Sequence, residues 1–439
     1  MITEVIAREG AARRLPSPAQ SVAILTIGCK LNQAESEAMT LELAAAGCRV
    51  TDRAVPADAV IINTCAVTHV AERKARHLVR LARRLSPQAR IIVTGCYAEA
   101  VRPAVLSELG ADLVLGNADK QQATTVLLQN ATSRDETRPS GRLRTRSFVK
   151  IQEGCNDVCA FCVVPQTRGR ERSVPAAEIL RAVRRAEADG VKEVVLTGTQ
   201  LGAYGRDREE GGSLVALIER VLRETSIPRV RLSSVQPQDV TPALLDLWSD
   251  QRLCRHFHIA LQSGSDAVLA RMRRRYTARE FADAVDVIRR RLPDVAITTD
   301  VLAGLPGETD EDFAATQRFC GEAAFAALHV FPFSARPGTL AARMPDQVSA
   351  ATKRERVQEM LALGEELRGR FLARFQGSVA GVLFEQRVRD NAWEGLTGNY
   401  IRVVAPGEEP LENCIEAVRL DRREDSGFRG ELQPAMETS

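Results

Sequence analysis

The sequence predicts an α/β protein with an N-terminal open parallel α/β domain, a central partial (β/α)6 barrel and a C-terminal small β-barrel. Two stretches alternate short β-branched runs with amphipathic helical segments, and a polar segment rich in Ser, Thr, Gly, Pro and Arg separates them. Beyond about residue 370 the chain changes to short strands between turn signals. Helices between successive strands indicate parallel sheets. The expected divisions are a disordered tail at 1–19, domains at 20–130, 147–370 and 371–439, and a linker at 131–146.

The composition is that of an ordinary globular protein and excludes several classes. Of the 439 residues, 44% are hydrophobic and 27% are charged. No apolar run approaches the roughly 20 residues that cross a bilayer, so we expect no membrane anchor. The N-terminal tail mixes acids and bases and lacks the apolar core of a secretion signal, which favours a reducing, cytoplasmic location. A net charge of only +3 restricts any nucleic-acid surface to local arginine clusters.

The N-terminal domain places three cysteines at the ends of predicted strands. The runs SVAILTIGC, DAVIINTC and ARIIVTGC end on Cys29, Cys65 and Cys96, and helical segments lie between them. Ligands of open parallel sheets gather beyond the carboxyl ends of the strands, so we expect the three thiols to face one crevice. Buried, unreactive thiols are the alternative, since single cysteines are commonly small core residues.

Six further strand-like runs follow the linker and predict the central partial barrel. Helical patterns such as AAEILRAVRRAEADG and REFADAVDVIRRRL lie between them. In complete barrels of this kind the working residues lie at the carboxyl ends of the strands, and we expect the same here. The six runs are FVKIQEGC, KEVVLTGTQLGAYG, RVRLSSVQP, HFHIALQSGSD, VAITTDVLAGLPGE and ALHVFPFSARPG.

The C-terminal part is predicted to be a five-stranded barrel of the nucleic-acid-binding kind. It follows a charged amphipathic helix that begins near residue 352. Guanidinium groups suit phosphate oxygens and stack on bases, so arginines of the tail and linker are expected to contact RNA. The MRRRY segment at 272–276 has the same interpretation, whereas a solvated helix face is at least as good an interpretation for the three arginines at 289–291. The tail and linker arginines are Arg387, Arg389, Arg402, Arg419, Arg422 and Arg423, with Arg142, Arg144 and Arg146.

The sharpest chemical signal is the CxxxCxxC loop of Cys155, Cys159 and Cys162, which follows a predicted strand. A tetrahedral zinc site requires a fourth ligand, whereas three thiolates hold three irons of a 4Fe-4S cluster and leave the fourth iron open to a chelator. The loop resembles the signature of the radical SAM superfamily, in which S-adenosyl-L-methionine (SAM) is that chelator and is cleaved to a 5′-deoxyadenosyl radical. A zinc knuckle or three unrelated thiols are the alternatives.

The same resemblance implies a set of SAM-binding residues at later strand ends. Small residues there admit a ligand close to the backbone, and polar side chains supply hydrogen bonds. Two positions depart from the family pattern, because Gln200 replaces an expected histidine or asparagine and Ala260 replaces a frequent proline. The implied cofactor-binding residues are Phe161, Gly198, Gln200, Ser234, Gln262 and Ser263.

A wider resemblance covers residues from about 20 to about 423. The segments TIGCKLNQAESE, INTCAVTHVAERKAR and VTGCYAE resemble the N-terminal domain of the methylthiotransferases. The segment GLTGNYIRVV resembles the TRAM domain of tRNA-modifying enzymes. The three domains stand in the order of the radical SAM methylthiotransferases, and this resemblance implies that Cys29, Cys65 and Cys96 ligate a second, auxiliary 4Fe-4S cluster whose free iron carries the extra sulfur.

Four motifs resemble one group of that family, which acts on threonylcarbamoyladenosine (t6A) in tRNA. They are GCKLNQAE, NTCAVTHVAERKAR, CVVPQTRGRERS and HVFPFSARPGTLAARMPDQV. The resemblance implies insertion of a methylthio group at C2 of the t6A base next to the anticodon, with two 4Fe-4S clusters, two molecules of SAM and a reducing electron donor. One SAM methylates a sulfur on the auxiliary cluster, and the other yields the radical that removes hydrogen from C2. The expected partner is a tRNA anticodon loop, whose bases are readily exposed.

Three other functions are alternatives at this point. Isopentenyladenosine in tRNA and an aspartate of a ribosomal protein are the other substrates known in the family, and the arginine-rich tail disfavours the second. The third alternative comes from a different class: a non-catalytic iron–sulfur protein that binds RNA and senses redox state. No ligand role is expected for Cys48, Cys254, Cys320, Cys414, His256 and His258.

Overall fold

The computed structural model describes residues 20–128, 145–208, 211–389, 391–424 and 426–434. The expected tail at 1–19 and nearly all of the linker, including Arg142 and Arg144, lie outside the described residues. The chain forms two compact units: the first comprises 1–141 and 162–170, and the second comprises 142–161 and 171–439.

The first unit is an open parallel sheet covered by helices, as the sequence predicts. Its strands have the order β2-β1-β3-β4-β5. The central strand β3, AVIINT, is buried along its whole length because apolar clusters cover both faces of the sheet. The strands are β1 (Ser21–Thr26), β2 (Arg49–Thr51), β3 (Ala59–Thr64), β4 (Arg90–Gly95) and β5 (Leu113–Leu115). The helices are α1 (Lys30–Ala45), α2 (His69–Leu85), α3 (Cys96–Ala100), α4 (Pro103–Glu108), α5 (Gln122–Leu128) and α6 (Val164–Arg168).

The second unit begins with the six predicted parallel strands. Two three-stranded sheets, β6-β9-β10 and β11-β12-β13, are joined by bridges from Val230 to Leu253 and from Val235 to Ile259. A short antiparallel pair, β7 with β8, precedes and follows the CxxxCxxC loop. The strands are β6 (Arg146–Lys150), β7 (Gln152–Glu153), β8 (Arg172–Ser173), β9 (Glu193–Thr197), β10 (Arg229–Leu232), β11 (His256–His258), β12 (Ala296–Ala303) and β13 (Ala327–Pro332).

Amphipathic helices cover these strands and bury one continuous apolar cluster. Two of them begin with a reciprocal capping box, in which Thr277 and Thr309 each pair with an acidic residue three positions later. The helices are α7 (Ala176–Ala188), α8 (Leu214–Glu224), α9 (Pro242–Asp246), α10 (Asp266–Arg271), α11 (Ala278–Arg291), α12 (Asp310–Ala323) and α13 (Ala350–Ala373).

The C-terminal strands close into the predicted five-stranded barrel, in the order β14-β15-β16-β18-β17. Its interior contains Val382, Phe384, Val403, Val418 and Phe428, which are all buried. Register shifts in β14 and β17 allow these long strands to bend around the small barrel. The strands are β14 (Val379–Arg389), β15 (Ala392–Thr397), β16 (Arg402–Pro406), β17 (Ile415–Glu424) and β18 (Gly427–Leu432).

Buried charges attach this barrel to the amino-terminal ends of the central strands. Glu193, at the start of β9, pairs with Arg231 of β10 at 2.7 Å. The Arg231 guanidinium lies 3.7 Å from the centre of the Tyr400 ring, and Arg229 donates to the Gly381 carbonyl at 2.7 Å. The barrel therefore contacts the strand edge opposite the one that carries the CxxxCxxC loop. Within the described ranges, no helix has the length and apolar character needed to span a membrane.

Candidate functional site

The three cysteines of the first unit lie beyond the carboxyl ends of three neighbouring strands. Cys29 follows β1, Cys65 follows β3 directly, and Cys96 is the first residue after β4. Burial, with smaller contributions from the other two thiols, raises the pKa of Cys65 to about 12. The three cysteines therefore follow the same edge of the sheet, and their ligation of one cluster stays a prediction.

A glycine allows two of these thiol loops to approach closely. Gly28 has a φ of +130°, and a Cβ at this position would lie 2.9 Å from the Cβ of Cys65. Any other residue would therefore be strained and would push the loop of Cys29 away from Cys65.

Polar groups face each of these sulfurs. The Cys29 thiol lies 3.4 Å from Asn32 Oδ1, the backbone N–H of Val67 donates to Cys65 Sγ at 3.5 Å, and Asn117 Nδ2 donates to Cys96 Sγ at 3.7 Å. Three thiols with N–H donors directed at two of them fit an iron–sulfur cluster, since such hydrogen bonds tune ligated sulfur.

A buried ion network that sequence analysis missed lies beside these thiols. Arg168, at the end of α6, donates to Glu35 Oε1 at 2.7 Å and to Asn32 Oδ1 at 2.9 Å. Lys120 forms a second ion pair with Glu35. All three charged side chains are at most 8% exposed. The motif CVVPQTRGRERS contains Arg168, but no spacing in the sequence indicates that it contacts residues 133 or more positions earlier.

The first two thiols of the CxxxCxxC loop have partners within the second unit. Cys155 Sγ lies 3.2 Å from Gln200 Oε1 and accepts from the N–H of Asp157 at 3.4 Å. Arg274 Nη1 donates to Cys159 Sγ at 3.6 Å. Burial raises the pKa of Cys155 to about 11. Cys162 is half-buried and begins the segment that belongs to the first unit.

The loop is anchored by its backbone and by apolar packing. The N–H of Ala160 donates to the Met272 carbonyl at 2.9 Å, and its carbonyl accepts from Ala341 at 2.8 Å. Phe161, an expected cofactor-binding residue, packs half-buried against an apolar cluster that includes Phe333. These contacts fix the position of the loop segment that carries Cys159.

Gly198 and Gln200 follow β9 and lie next to Gln152. A Cβ at Gly198 would lie 2.9 Å from the Gln152 carbonyl oxygen, so this strand end requires glycine. The backbone N–H of Gln200 donates to Gln152 Oε1 at 2.9 Å. The side-chain Nε2 of Gln200 is buried and has no partner among the described residues. Exchange of the two amide positions would direct this N–H at Cys155, which is what a ligated thiolate requires.

The other three expected SAM contacts are placed differently from one another. Gln262 has a φ of +69°, and strain of this kind clusters at functional sites. Ser234 is half-exposed just beyond β10. Ser263 is fully buried, and its hydroxyl lies 3.0 Å from the hydroxyl of Thr316 on α12. The structure therefore brings Ser234 and Gln262, but not Ser263, to an accessible position.

Arg274 belongs to this site, although sequence analysis grouped it with RNA-binding arginines. Besides Cys159, its guanidinium donates to Gln236 Oε1 at 2.6 Å and to the Tyr276 hydroxyl at 2.9 Å. The interpretation of MRRRY as an RNA surface is therefore wrong for Arg274, because its charge faces a thiol. The neighbouring Arg275 pairs with Asp157 of the thiol loop at 2.9 Å.

A second missed group lies on β11, β12 and β13. His258 pairs with Asp300 at 3.3 Å, and His329 approaches the other oxygen of this carboxylate at 3.6 Å. Burial alone would raise the pKa of Asp300, but the two histidines outweigh it and lower the pKa. His256, two positions earlier on β11, instead packs edge-on against Tyr400. His258 therefore contacts a carboxylate, whereas His256 contacts an aromatic ring.

Many of the arginines that were expected to bind RNA are paired with acids. Arg146 pairs with Glu193 at 2.9 Å, and Arg402 pairs with Glu394. An open hollow of about 570 Å³ in the C-terminal barrel is lined by both signs of charge. Its charged lining residues are Arg419, Arg422, Arg429, Asp421 and Glu431.

Two family descriptions match the chain. Residues 149–320 match the Radical SAM superfamily, and residues 21–116 match the uncharacterized protein family UPF0004. Among solved structures, the radical SAM methyltransferase TsrM of Kitasatospora setae, with cobalamin and a 4Fe-4S cluster bound, aligns with a TM-score of 0.52. That alignment covers 74% of this chain and 77% of the other at 15% identity, so it supports the fold alone.

Curated relatives are similar over nearly the whole chain. The threonylcarbamoyladenosine tRNA methylthiotransferase of Bacillus subtilis is 36% identical, over 91% of this chain and 93% of the relative. The enzyme of the same name from Aquifex aeolicus is 35% identical, over 90% and 99%. A tRNA-2-methylthio-N(6)-dimethylallyladenosine synthase of Thermodesulfovibrio yellowstonii is 33% identical, over 86% and 91%. The chain therefore belongs to the radical SAM methylthiotransferase family, in its threonylcarbamoyladenosine tRNA methylthiotransferase group.

Proposed function

We propose that this chain inserts a methylthio group at C2 of threonylcarbamoyladenosine next to the anticodon of tRNA. The observation that carries the proposal is a thiol triplet beyond the carboxyl ends of three neighbouring strands, in a chain that also has a CxxxCxxC loop. The relatives named for this activity are similar over about nine-tenths of the chain.

The two triplets have separate duties in this proposal. Cys155, Cys159 and Cys162 hold the cluster that binds SAM, whereas Cys29, Cys65 and Cys96 hold the auxiliary cluster. When bound, the clusters and SAM supply a carbon radical and the sulfur that is inserted, because acid–base groups cannot activate an aryl C–H bond. The chain's own residues position the cysteine sulfurs that ligate the clusters.

Around the SAM-binding triplet, Gln200 and Arg274 orient two of the ligands. Gln200 contacts Cys155, and Arg274 places a permanent positive charge beside Cys159. Arg274 donates a charge-assisted hydrogen bond to this sulfur and thereby fixes its position. Phe161 covers part of the loop with an apolar ring and excludes water there.

The tRNA is expected to bind through exposed arginines of the C-terminal barrel. The hollow that contains Arg422 and Arg429 offers guanidinium groups for phosphate oxygens. An anticodon loop presents unstacked bases, which suits a site that must reach the C2 edge of an adenine. The proposal includes a low-potential electron donor and a cytoplasmic location, where the ten cysteines stay reduced.

Single cysteine variants test the division of labour. Cys159→Ala should abolish 5′-deoxyadenosine formation, whereas Cys65→Ala should keep part of it and lose methylthio insertion. Both products are measured by chromatography and mass spectrometry after anaerobic reconstitution with tRNA bearing t6A. Cys48→Ala, which removes another buried thiol of the first unit, should resemble the unaltered chain. Equal losses of both products in the Cys159 and Cys65 variants contradict the proposal.

A deletion strain tests the substrate. Loss of 2-methylthio-threonylcarbamoyladenosine from its tRNA nucleosides supports the proposal, and persistence of that nucleoside overturns it. Loss of the 2-methylthio derivative of isopentenyladenosine instead supports the alternative suggested by the dimethylallyladenosine synthases among the relatives.

A further inference from the structure

We propose that Arg168 is a positioning residue for the auxiliary cluster, which fixes the Cys29 sulfur through Asn32 and raises the reduction potential of that cluster through its charge. The inference rests on the proposed function, since it assumes an iron–sulfur cluster at Cys29, Cys65 and Cys96. It adds a residue that lies six positions after the last thiol of the CxxxCxxC loop and acts on the other triplet.

The geometry places the Arg168 guanidinium between a carboxylate and an amide. Its Nη1 donates to Glu35 Oε1 at 2.7 Å, and its Nη2 donates to Glu35 Oε2 at 3.2 Å and to Asn32 Oδ1 at 2.9 Å. The side chain is only 2% exposed. A planar fork makes these contacts simultaneously, which a lysine ammonium on the same stem cannot reproduce.

Asn32 transmits this position to the first thiol. Its Oδ1 faces both Arg168 and the Cys29 thiol, while its Nδ2 donates to the Thr64 carbonyl at 2.9 Å and to Asn63 Oδ1 at 3.1 Å. The amide therefore cannot flip without losing several hydrogen bonds. A Cys29 thiolate would no longer donate to Asn32 Oδ1, and Arg168 would remain the donor that fixes this oxygen and offsets its lone-pair repulsion with the sulfur.

Helix α6 reaches a second thiol by a parallel route. The carbonyl of Thr167, one residue before Arg168, accepts from Asn117 Nδ2 at 2.7 Å. The same Nδ2 donates to Cys96 Sγ at 3.7 Å. Two successive residues of α6 thus hold the amides that contact Cys29 and Cys96. This repetition indicates that the segment after the CxxxCxxC loop has a role in shaping the auxiliary site.

The positive charge of Arg168 is what changes the reduction potential of the auxiliary cluster in this proposal. Arg168 interacts electrostatically with Cys29, Cys65 and Cys96, and it does so in a buried, weakly screened environment. A reduced cluster carries one more negative charge than an oxidised one, so a nearby cation favours the reduced form. Removal of Arg168 should lower the reduction potential, and removal of the Glu35 carboxylate should raise it.

The experiment isolates the auxiliary cluster and measures its potential. Cys155→Ala with Cys159→Ala removes two ligands of the SAM-binding cluster while Cys162 and the segment that contains Arg168 stay intact. In this background we compare Arg168→Gln, Arg168→Lys and Glu35→Gln by iron content and by EPR-monitored redox titration. Arg83→Gln is the matched control, because Arg83 is a partly buried arginine of the same unit that pairs with Asp112.

Arg168→Gln and Glu35→Gln are expected to shift the reduction potential of the auxiliary cluster in opposite directions. At fixed potential, Arg168→Gln should increase the oxidised-to-reduced ratio about tenfold, which corresponds to about 59 mV for a one-electron couple. Glu35→Gln should decrease it, and Arg168→Lys should restore the potential but not the full iron content, because it keeps the charge and loses the fork. Arg83→Gln should change neither quantity.

Other outcomes distinguish failure of the role of Arg168 from failure of the proposed auxiliary cluster. Potentials that agree with Arg83→Gln in all three variants overturn the role of Arg168 while an auxiliary cluster is still present. Absence of iron from the background itself overturns the proposed auxiliary cluster instead. Should Arg168→Gln fail to fold, as judged by circular dichroism, Glu35→Gln still decides the sign of the charge effect, and the iron content of Arg168→Lys still tests the role of the fork.

Discussion

The amide of Gln200 lies 3.2 Å from the Cys155 sulfur, and the two ends of this amide have opposite chemical consequences. An Oε1 that faces the sulfur accepts from a thiol, whereas an Nε2 that faces it donates to a thiolate. Because Nε2 is buried without a partner among the described residues, ligation of Cys155 favours the second orientation. The residue that departs from the family pattern thus still serves the same loop.

Replacement of Gln200 by Glu tests this orientation. Glu keeps two acceptor oxygens, removes the N–H donor and adds a negative charge beside a thiolate. A lost charge-assisted hydrogen bond is worth about 1.5–3 kcal/mol, so 5′-deoxyadenosine formation should fall at least tenfold. The product is quantified by liquid chromatography in the reconstituted protein.

The control for this variant is Gln238→Glu, which makes the same change at an exposed position. It should leave the rate unchanged. A Gln200→Glu enzyme with the unaltered rate would show that the amide acts as an acceptor, contrary to the orientation argued above.

Among the elements, the end of β9 depends on a close approach that only glycine permits. A Cβ at Gly198 would meet the carbonyl oxygen and side chain of Gln152. Gly198→Ala should lower the free energy of unfolding by about 1–3 kcal/mol, which is the usual range for overpacking. Urea denaturation followed by circular dichroism measures this change.

Gly321, near the end of α12, is the matched control. A Cβ there meets no atom within 4 Å, and alanine has a higher helix propensity than glycine. Gly321→Ala should therefore stabilise the protein by about 0.5–1 kcal/mol. A loss of stability of the same size in both variants would contradict the close-contact argument at β9.

Most of the element order could be predicted from the sequence. The β-branched runs that end on Cys29, Cys65 and Cys96 are short, continuous and apolar, and helical segments separate them, so they identify both the strands and the edge of the sheet that the cysteines follow. Arg168 and Arg274 could not be assigned in this way. Glu35 lies 133 positions from Arg168, and Cys159 lies 115 positions from Arg274. An arginine in a polar segment has the same sequence signature whether it faces solvent or a buried partner.

At the scale of the molecule, the attachment of the C-terminal barrel depends on a buried carboxylate. Burial alone would raise the pKa of Glu193, but Arg231, Arg146 and Arg229 outweigh it and lower the pKa to about 2. A group whose folded-state pKa is depressed contributes stability above its unfolded pKa of about 4.5 and loses it as the pH falls towards 2.

Acid denaturation should therefore show a specific contribution from Glu193. Between about pH 4.5 and pH 2 the unaltered chain should lose about 3 kcal/mol more than Glu193→Gln, because the amide does not titrate. At pH 7 the variant should be less stable, since three arginines lose a buried partner. Urea melts across this range measure the difference, and Glu178→Gln on α7, which changes an exposed carboxylate, should follow the unaltered curve.

The C-terminal barrel also makes the tRNA proposal testable as a property of the whole molecule. Exposed guanidinium groups that neutralise phosphates release counterions, so the logarithm of the binding constant falls linearly with the logarithm of salt concentration. Arg422→Gln with Arg429→Gln should weaken tRNA binding and reduce that slope by roughly 0.7–0.9 for each phosphate contact removed. Fluorescence anisotropy at several salt concentrations measures both quantities.

The control, Arg184→Gln with Arg185→Gln, removes two half-exposed charges from α7. Both double variants change the net charge by the same amount. A salt slope reduced only in the Arg422 and Arg429 variant locates the RNA contact in this hollow. The same slope in both double variants places the contact elsewhere.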